Sequence, residues 1–157
     1  MSENILQVRD LRKYFHFKSG IFSNQRGQIK AVDGISFDVG RGGTFGLVGE
    51  SGCGKSTVSR LILRLCEADS GEVFFEGEDL LRLSGPEMRR RRARMQMVFQ
   101  DPFESLNPRM TIGESIAAPI EIHRMLRGER KRERVIELLS LVGLAPEYAN
   151  RYPHEFS

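Results

Sequence analysis

The stretch "GESGCGKST", residues 49–57, constrains this chain more than any other. None of its side chains is large and apolar enough to hold a core. Yet it follows "GTFGLVG" (43–49), a short continuous apolar run of the kind that forms a strand buried on both faces in a parallel sheet. It precedes "STVSRLILRLCE" (56–67), where Val58, Leu61, Ile62, Leu65 and Cys66 recur at helical spacing. The order is therefore buried strand, glycine loop, amphipathic helix.

Gly49, Gly54, Lys55 and Ser56 fit G-x-x-x-x-G-K-[ST], the phosphate-binding loop or Walker A motif. A loop that wraps its N–H groups around a polyphosphate needs glycines for close approach and positive φ. The helix that starts near Lys55 directs its N–H groups and partial positive charge at the same phosphates. Lys55 adds a full charge at the β- and γ-phosphates, and the Ser56 hydroxyl is placed to ligate Mg²⁺. The predicted nucleotide-phosphate set is Gly49, Glu50, Ser51, Gly52, Cys53, Gly54, Lys55, Ser56 and Thr57. Within it Thr57 falls on the α-phosphate side, Glu50 points to solvent and Cys53 is a small spacer. No N-K-x-D stretch is present, which argues against a GTPase.

The rest of the chain reads as α/β. Alternation predicts strands at 5–11 and 31–39, with a polar loop at 16–30 between them. Further strands are predicted in 70–80 and 95–100, and helices at 85–95, 111–123 and 128–144. Pro86 lies just inside its helix and Gly143 marks a C-terminal stop. The length of 157 residues suits one domain, and 39% apolar residues exclude a disordered chain. No apolar run approaches the ~18 residues of a membrane span, and the acidic start "MSENILQVRD" does not read as a signal peptide. Cys53 and Cys66 have no metal spacing and read as reduced thiols, as in a cytoplasmic protein. His16, His123 and His154 share no metal spacing either. The net charge of +3 traces largely to "RRRRAR" at 89–94, read as a solvated face rather than a nucleic-acid site.

Further segments carry a resemblance. "MVFQDP" (97–102) resembles the Q-loop of ABC-type ATPases, and "SGEVFFEGEDL" their strand segment between Walker A and Q-loop. "VFQDPFESLNPRMTIGESI", with "GLVGESGCGKST" and "RYPHEFS", resembles the ATPase subunits of oligopeptide and dipeptide importers, most of all the second of the paired ATPases. Nickel and glutathione importers share much of this pattern. The resemblance implies a P-loop NTPase with a RecA-like core, an antiparallel β-subdomain and the start of a helical subdomain. It implies ATP and Mg²⁺ as ligands, and hydrolysis by the complete subunit.

By position, Phe15 matches the A-loop aromatic that stacks on adenine, though a one-residue shift in register exchanges it with Tyr14. Lys55 and Gln100 match catalytic positions, and Ser56 and Gln100 the Mg²⁺ ligands. Residues 101–110 match the surface that meets the transmembrane permease subunits. The implied partners are those subunits, a second ATPase and, through the complex, an external peptide-binding protein, with no nucleic acid. The implied place is the cytoplasmic face of the inner membrane. Residues 1–157 read as the N-terminal part of such a domain, ending at the first serine of the signature motif, with Walker B and H-loop beyond. On this reading the chain binds ATP but hydrolyses it poorly. Two other readings remain open, a non-transport ABC ATPase and a binding-only module.

Overall fold

The computed structural model describes residues 4–18, 26–99 and 105–156. It divides into two compact units, Met1–Met88 and Arg89–Ser157.

The first unit is built on a four-stranded antiparallel sheet of order β2-β1-β3-β4. Strands β1 (Asn4–Lys18) and β2 (Arg26–Gly40) pair along most of their length, with Leu6 opposite Val39 and Phe15 opposite Ile29. Strand β3 (Ser70–Phe75) joins the other edge of β1, and β4 (Glu78–Asp79) closes a hairpin on it. Glu76 and Gly77 both have positive φ at that tight turn, a conformation matched to the twist of the strands. Helix α1 (Lys55–Ile62) buries Val58 and Leu61. The core of the unit is Val8, Leu11, Val32, Val58, Leu61, Val73, Phe75, Leu80 and Met88. Met88 lies in the first turn and a half of α2 (Gly85–Arg92), which opens with Glu87 accepting from the Ser84 N–H and hydroxyl.

The second unit is helical. Helix α3 (Ile112–Ile122) begins with a capping box: the Thr111 hydroxyl accepts from the Glu114 N–H, and the Glu114 carboxylate accepts from the Thr111 N–H. It runs past Pro119 for three more residues. Helix α4 (Gly128–Leu141) packs against it, with Ile120, Val135 and Leu139 as their shared core. Short 3-10 turns follow at Pro146–Asn150 and Pro153–Glu155. Gly113 permits the close approach of the first turn to α3, because a Cβ there would lie 2.8 Å from the Ala149 carbonyl oxygen.

Three sequence expectations are corrected. The predicted loop at 16–30 is strand at 16–18 and 26–30. The predicted strand at 43–49 is irregular chain without a ladder, and the strand expected at 95–100 is absent over its described residues, 95–99. The physical reason is the same for both. A strand needs a neighbour for its N–H and C=O groups, and among the described residues none pairs with either segment. Their apolar side chains stay out: Val48 is 92% exposed and Val98 87%. Phe45 stacks on Phe37 of β2 at 4.5 Å between centroids. The antiparallel sheet expected for this fold is present.

Candidate functional site

The loop between residue 49 and α1 closes on itself around Lys55. The Lys55 ammonium donates to the carbonyl oxygens of Gly49 at 2.7 Å and Glu50 at 2.6 Å, and lies 3.5 Å from the Cys53 thiol. The Cys53 N–H donates to the Glu50 carbonyl, which makes the turn. Gly52 (φ +81) and Gly54 (φ +97) occupy the left-handed region. Gly54 has a second constraint, since a Cβ there would sit 2.0 Å from the Ala31 carbonyl oxygen of β2. Contact with β2 and left-handed backbone together leave glycine as the one residue that fits.

Helix α1 starts at Lys55, and its N-cap, Gly54, offers no side-chain acceptor. The first turn thus presents uncapped N–H groups at the loop. Glu50, Ser51, Cys53 and Ser56 are exposed, and Thr57 is half-buried. The loop, the ammonium and the helix end bring N–H groups and a positive charge together on one exposed surface, suited to a polyphosphate. The Ser56 hydroxyl lies in the first turn of α1. Among the described residues no three His, Cys, Asp or Glu gather into a metal site. Mg²⁺ in nucleotide sites takes one or two protein oxygens and the rest from phosphates and water. One exposed hydroxyl beside a phosphate cradle fits that donor set.

The other predicted residues divide. Gln100 and residues 101–104 lie outside the described residues. Ser105–Met110 are described: Asn107 caps its own turn, accepting from the Arg109 N–H at 3.0 Å. Arg109 and Met110 line a cleft of about 900 Å³ between α3, α4 and Pro146–Asn150.

At the far end of β1, Phe15 and Tyr14 are sharply distinguished. The Tyr14 hydroxyl donates to Asp33, and the Lys30 ammonium lies over its ring. Tyr14 and Lys30 hold the Asp33 carboxyl below the usual carboxylate range, the tyrosine bond contributing most. Tyr14 is therefore engaged on one face of the sheet. Phe15, its neighbour, turns to the other face and is 44% exposed, with the Lys13 ammonium 5.5 Å from its ring centroid. Phe17 is also exposed on the Phe15 side, over Gly27. Sequence reading missed Asp33 and Asp69, which order this end of β1. Neither belongs to a motif, and only strand pairing brings them there.

The family model for "ABC transporter" matches residues 32–157. The oligopeptide transport ATP-binding protein AppF of Bacillus subtilis (strain 168) is 50% identical over 99% of this chain and 47% of its own length. The glutathione import ATP-binding protein GsiA of Pectobacterium atrosepticum is 46% identical over 99% of this chain and 25% of its own. The chain thus spans about half the length of the first of these relatives, and less of the second. Among solved structures, the dimeric post-hydrolysis state of the ATP-binding cassette MJ0796 bound to ADP and Pi superposes with a TM-score of 0.76 at 26% identity, over 97% of this chain and 63% of that one.

Proposed function

The chain belongs to the ABC transporter family, and from that premise we propose that it binds ATP at residues 49–57 and serves ATP-driven import of peptides. One observation carries the binding half of this reading: Lys55 donates to the carbonyls of its own loop at the N-terminus of α1. Carbonyl oxygens are the weaker acceptors available to an ammonium, and a triphosphate offers charged ones. On binding, Lys55 exchanges Gly49 and Glu50 carbonyls for the β- and γ-phosphates. The N–H groups of the loop and of the first turn of α1 hold the remaining phosphate oxygens. Ser56 is the hydroxyl that would hold Mg²⁺, whose charge neutralises the phosphates. Phe15 offers an open aromatic face for the adenine, and Gln100 is proposed as the residue that would contact Mg²⁺ and the attacking water.

Peptides as cargo rest on the relatives, which are named for oligopeptide and glutathione transport, two cargoes of peptide chemistry. ATP hydrolysis, a second ATPase subunit, the permease and an external peptide-binding protein belong to the same proposal. No helix among the described residues is long and apolar enough to cross a membrane. A peripheral place on the inner face of the cytoplasmic membrane therefore depends on the permease. The cleft at Arg109 and Met110 supports a docking place for it. The test is ATP-dependent accumulation of a labelled tripeptide by the transporter that contains this chain. Lys55→Ala is expected to abolish accumulation while the complex still assembles. Undiminished accumulation would reject the reading.

A further inference from the structure

We propose that Asp69 is the positioning residue for the base-stacking ring, Phe15. The inference rests on the reading of Phe15 as the adenine platform. Three hydrogen bonds tie the segment before Phe15 to this one residue. The Asp69 N–H donates to the Arg12 carbonyl at 3.0 Å. Its carboxylate accepts from the Lys13 ammonium at 2.9 Å and from the Tyr14 N–H at 2.6 Å. Residues 12, 13 and 14 are thereby each held, and Phe15 is the next residue out.

The clamp is needed because β1 is irregular there. Its pairing with β2 shifts register between Leu11 and Arg12 and again between Lys13 and Tyr14. Its pairing with β3 ends at Arg12 opposite Ser70. Beyond that point β1 has β2 on one edge, and Asp69 supplies the contact on the other. Gly71 makes the approach possible: at φ +105, a Cβ there would lie 2.6 Å from the Leu11 Cα and from the Asp10 carbonyl oxygen. Lys13 adds a second constraint. Its ammonium is pinned by Asp69 and lies against the Phe15 ring, so the same carboxylate sets the backbone and the neighbour of that ring.

The geometry predicts a selective effect. Loss of Asp69 lets Phe15 move but leaves the phosphate cradle as it is. The experiment titrates the purified chain with MgATP and, separately, with inorganic triphosphate, with far-UV circular dichroism as the check of folding. Phe15→Ala is expected to weaken MgATP about tenfold and triphosphate not at all. Asp69→Ala is expected to weaken MgATP several-fold and triphosphate less than twofold, and to cost nothing further in a Phe15→Ala background. Asp69→Asn keeps an oxygen for the Tyr14 N–H and recovers part of the loss. Lys13→Met gives the same selective loss and carries the test if Asp69→Ala does not fold. Equal weakening of both ligands, or an undiminished effect of Asp69→Ala without the Phe15 ring, overturns the inference. So does an Asp69→Ala chain that binds MgATP normally while Phe15→Ala does not. If Phe15→Ala itself binds MgATP normally, the platform reading falls first, and this inference with it.

Discussion

Lys55 and Gly54 show how much a single position decides. Lys55 satisfies two backbone carbonyls in a loop that otherwise has few bonds of its own. In the proposed complex it exchanges them for phosphate oxygens, and a charge-assisted hydrogen bond of that kind contributes about 1.5–3 kcal/mol. Lys55→Ala is therefore expected to weaken MgATP by about ten- to a hundredfold, read by calorimetric titration. Gly54→Ala faces a positive φ and a contact of 2.0 Å with β2. It is expected to cost about 1–3 kcal/mol or more in stability, read by denaturant unfolding. A variant as stable as the parent contradicts that account. The loop was legible in the sequence because its chemistry is local: glycine, lysine and hydroxyl at fixed offsets, next to a helical pattern. Asp69 was not legible, because it lies 55 positions from Tyr14 and reaches it only through the register of β3 on β1. The contrast between an engaged Tyr14 and an exposed Phe15 needed the same information, since Asp33 and Lys30 reach Tyr14 across the hairpin.

At the level of elements, the antiparallel sheet and four helices follow patterns visible in the chain, and the boundaries follow contacts that are not. Strands β1 and β2 run well past the alternating cores at 5–11 and 31–39 because their outer halves pair with each other, not because they bury a face. Phe17, Gln28, Ile29 and Lys30 are partly or fully exposed, so alternation fades there while the ladder continues. Helix α1 stops at Ile62 where Arg64 turns to positive φ and its guanidinium donates to the Leu80 and Leu83 carbonyls. Two predictions belong here. Thr111→Ala removes the N-cap of α3 and is expected to cost about 1 kcal/mol of stability. The second concerns pH. The Lys13 bond, then the Tyr14 N–H, hold the Asp69 carboxyl below the ordinary aspartate range. Its unfolded value lies near 3.9, so its contribution is fully present above about pH 4 and is lost as pH falls through the lower folded value. Carbon-detected NMR titration of the Asp69 carboxyl is expected to give a midpoint below about 3.9. A midpoint at or above that value contradicts the clamp.

For the whole molecule, the two apolar segments that find no ladder among the described residues carry strongly exposed apolar side chains. Val48 and Leu47 in one unit, and Val98 and Phe99 in the other, leave apolar side chains and backbone groups in water. Such surface seeks partners. Concentration-dependent association is expected in analytical ultracentrifugation, reduced in Val48→Lys, and a monomer at all concentrations contradicts it. These segments also explain why a parallel-type strand at 43–49 and a short strand at 95–100 were expected from sequence and are not formed over the described residues. A continuous apolar run reports that a segment is suited to burial, while a strand exists only where another strand meets it. The loop proposed to hold the phosphates does not depend on that meeting, since Gly54 rests on β2 and α1 packs through Val58 and Leu61. Nucleotide binding is thus the property on which the account stands, and calorimetric titration of the purified chain with MgATP tests it most directly. Saturable one-to-one binding is expected, weakened by at least about tenfold in Lys55→Ala with the fold unchanged. Equal affinity in the two chains, or no binding by a folded parent chain, would contradict it.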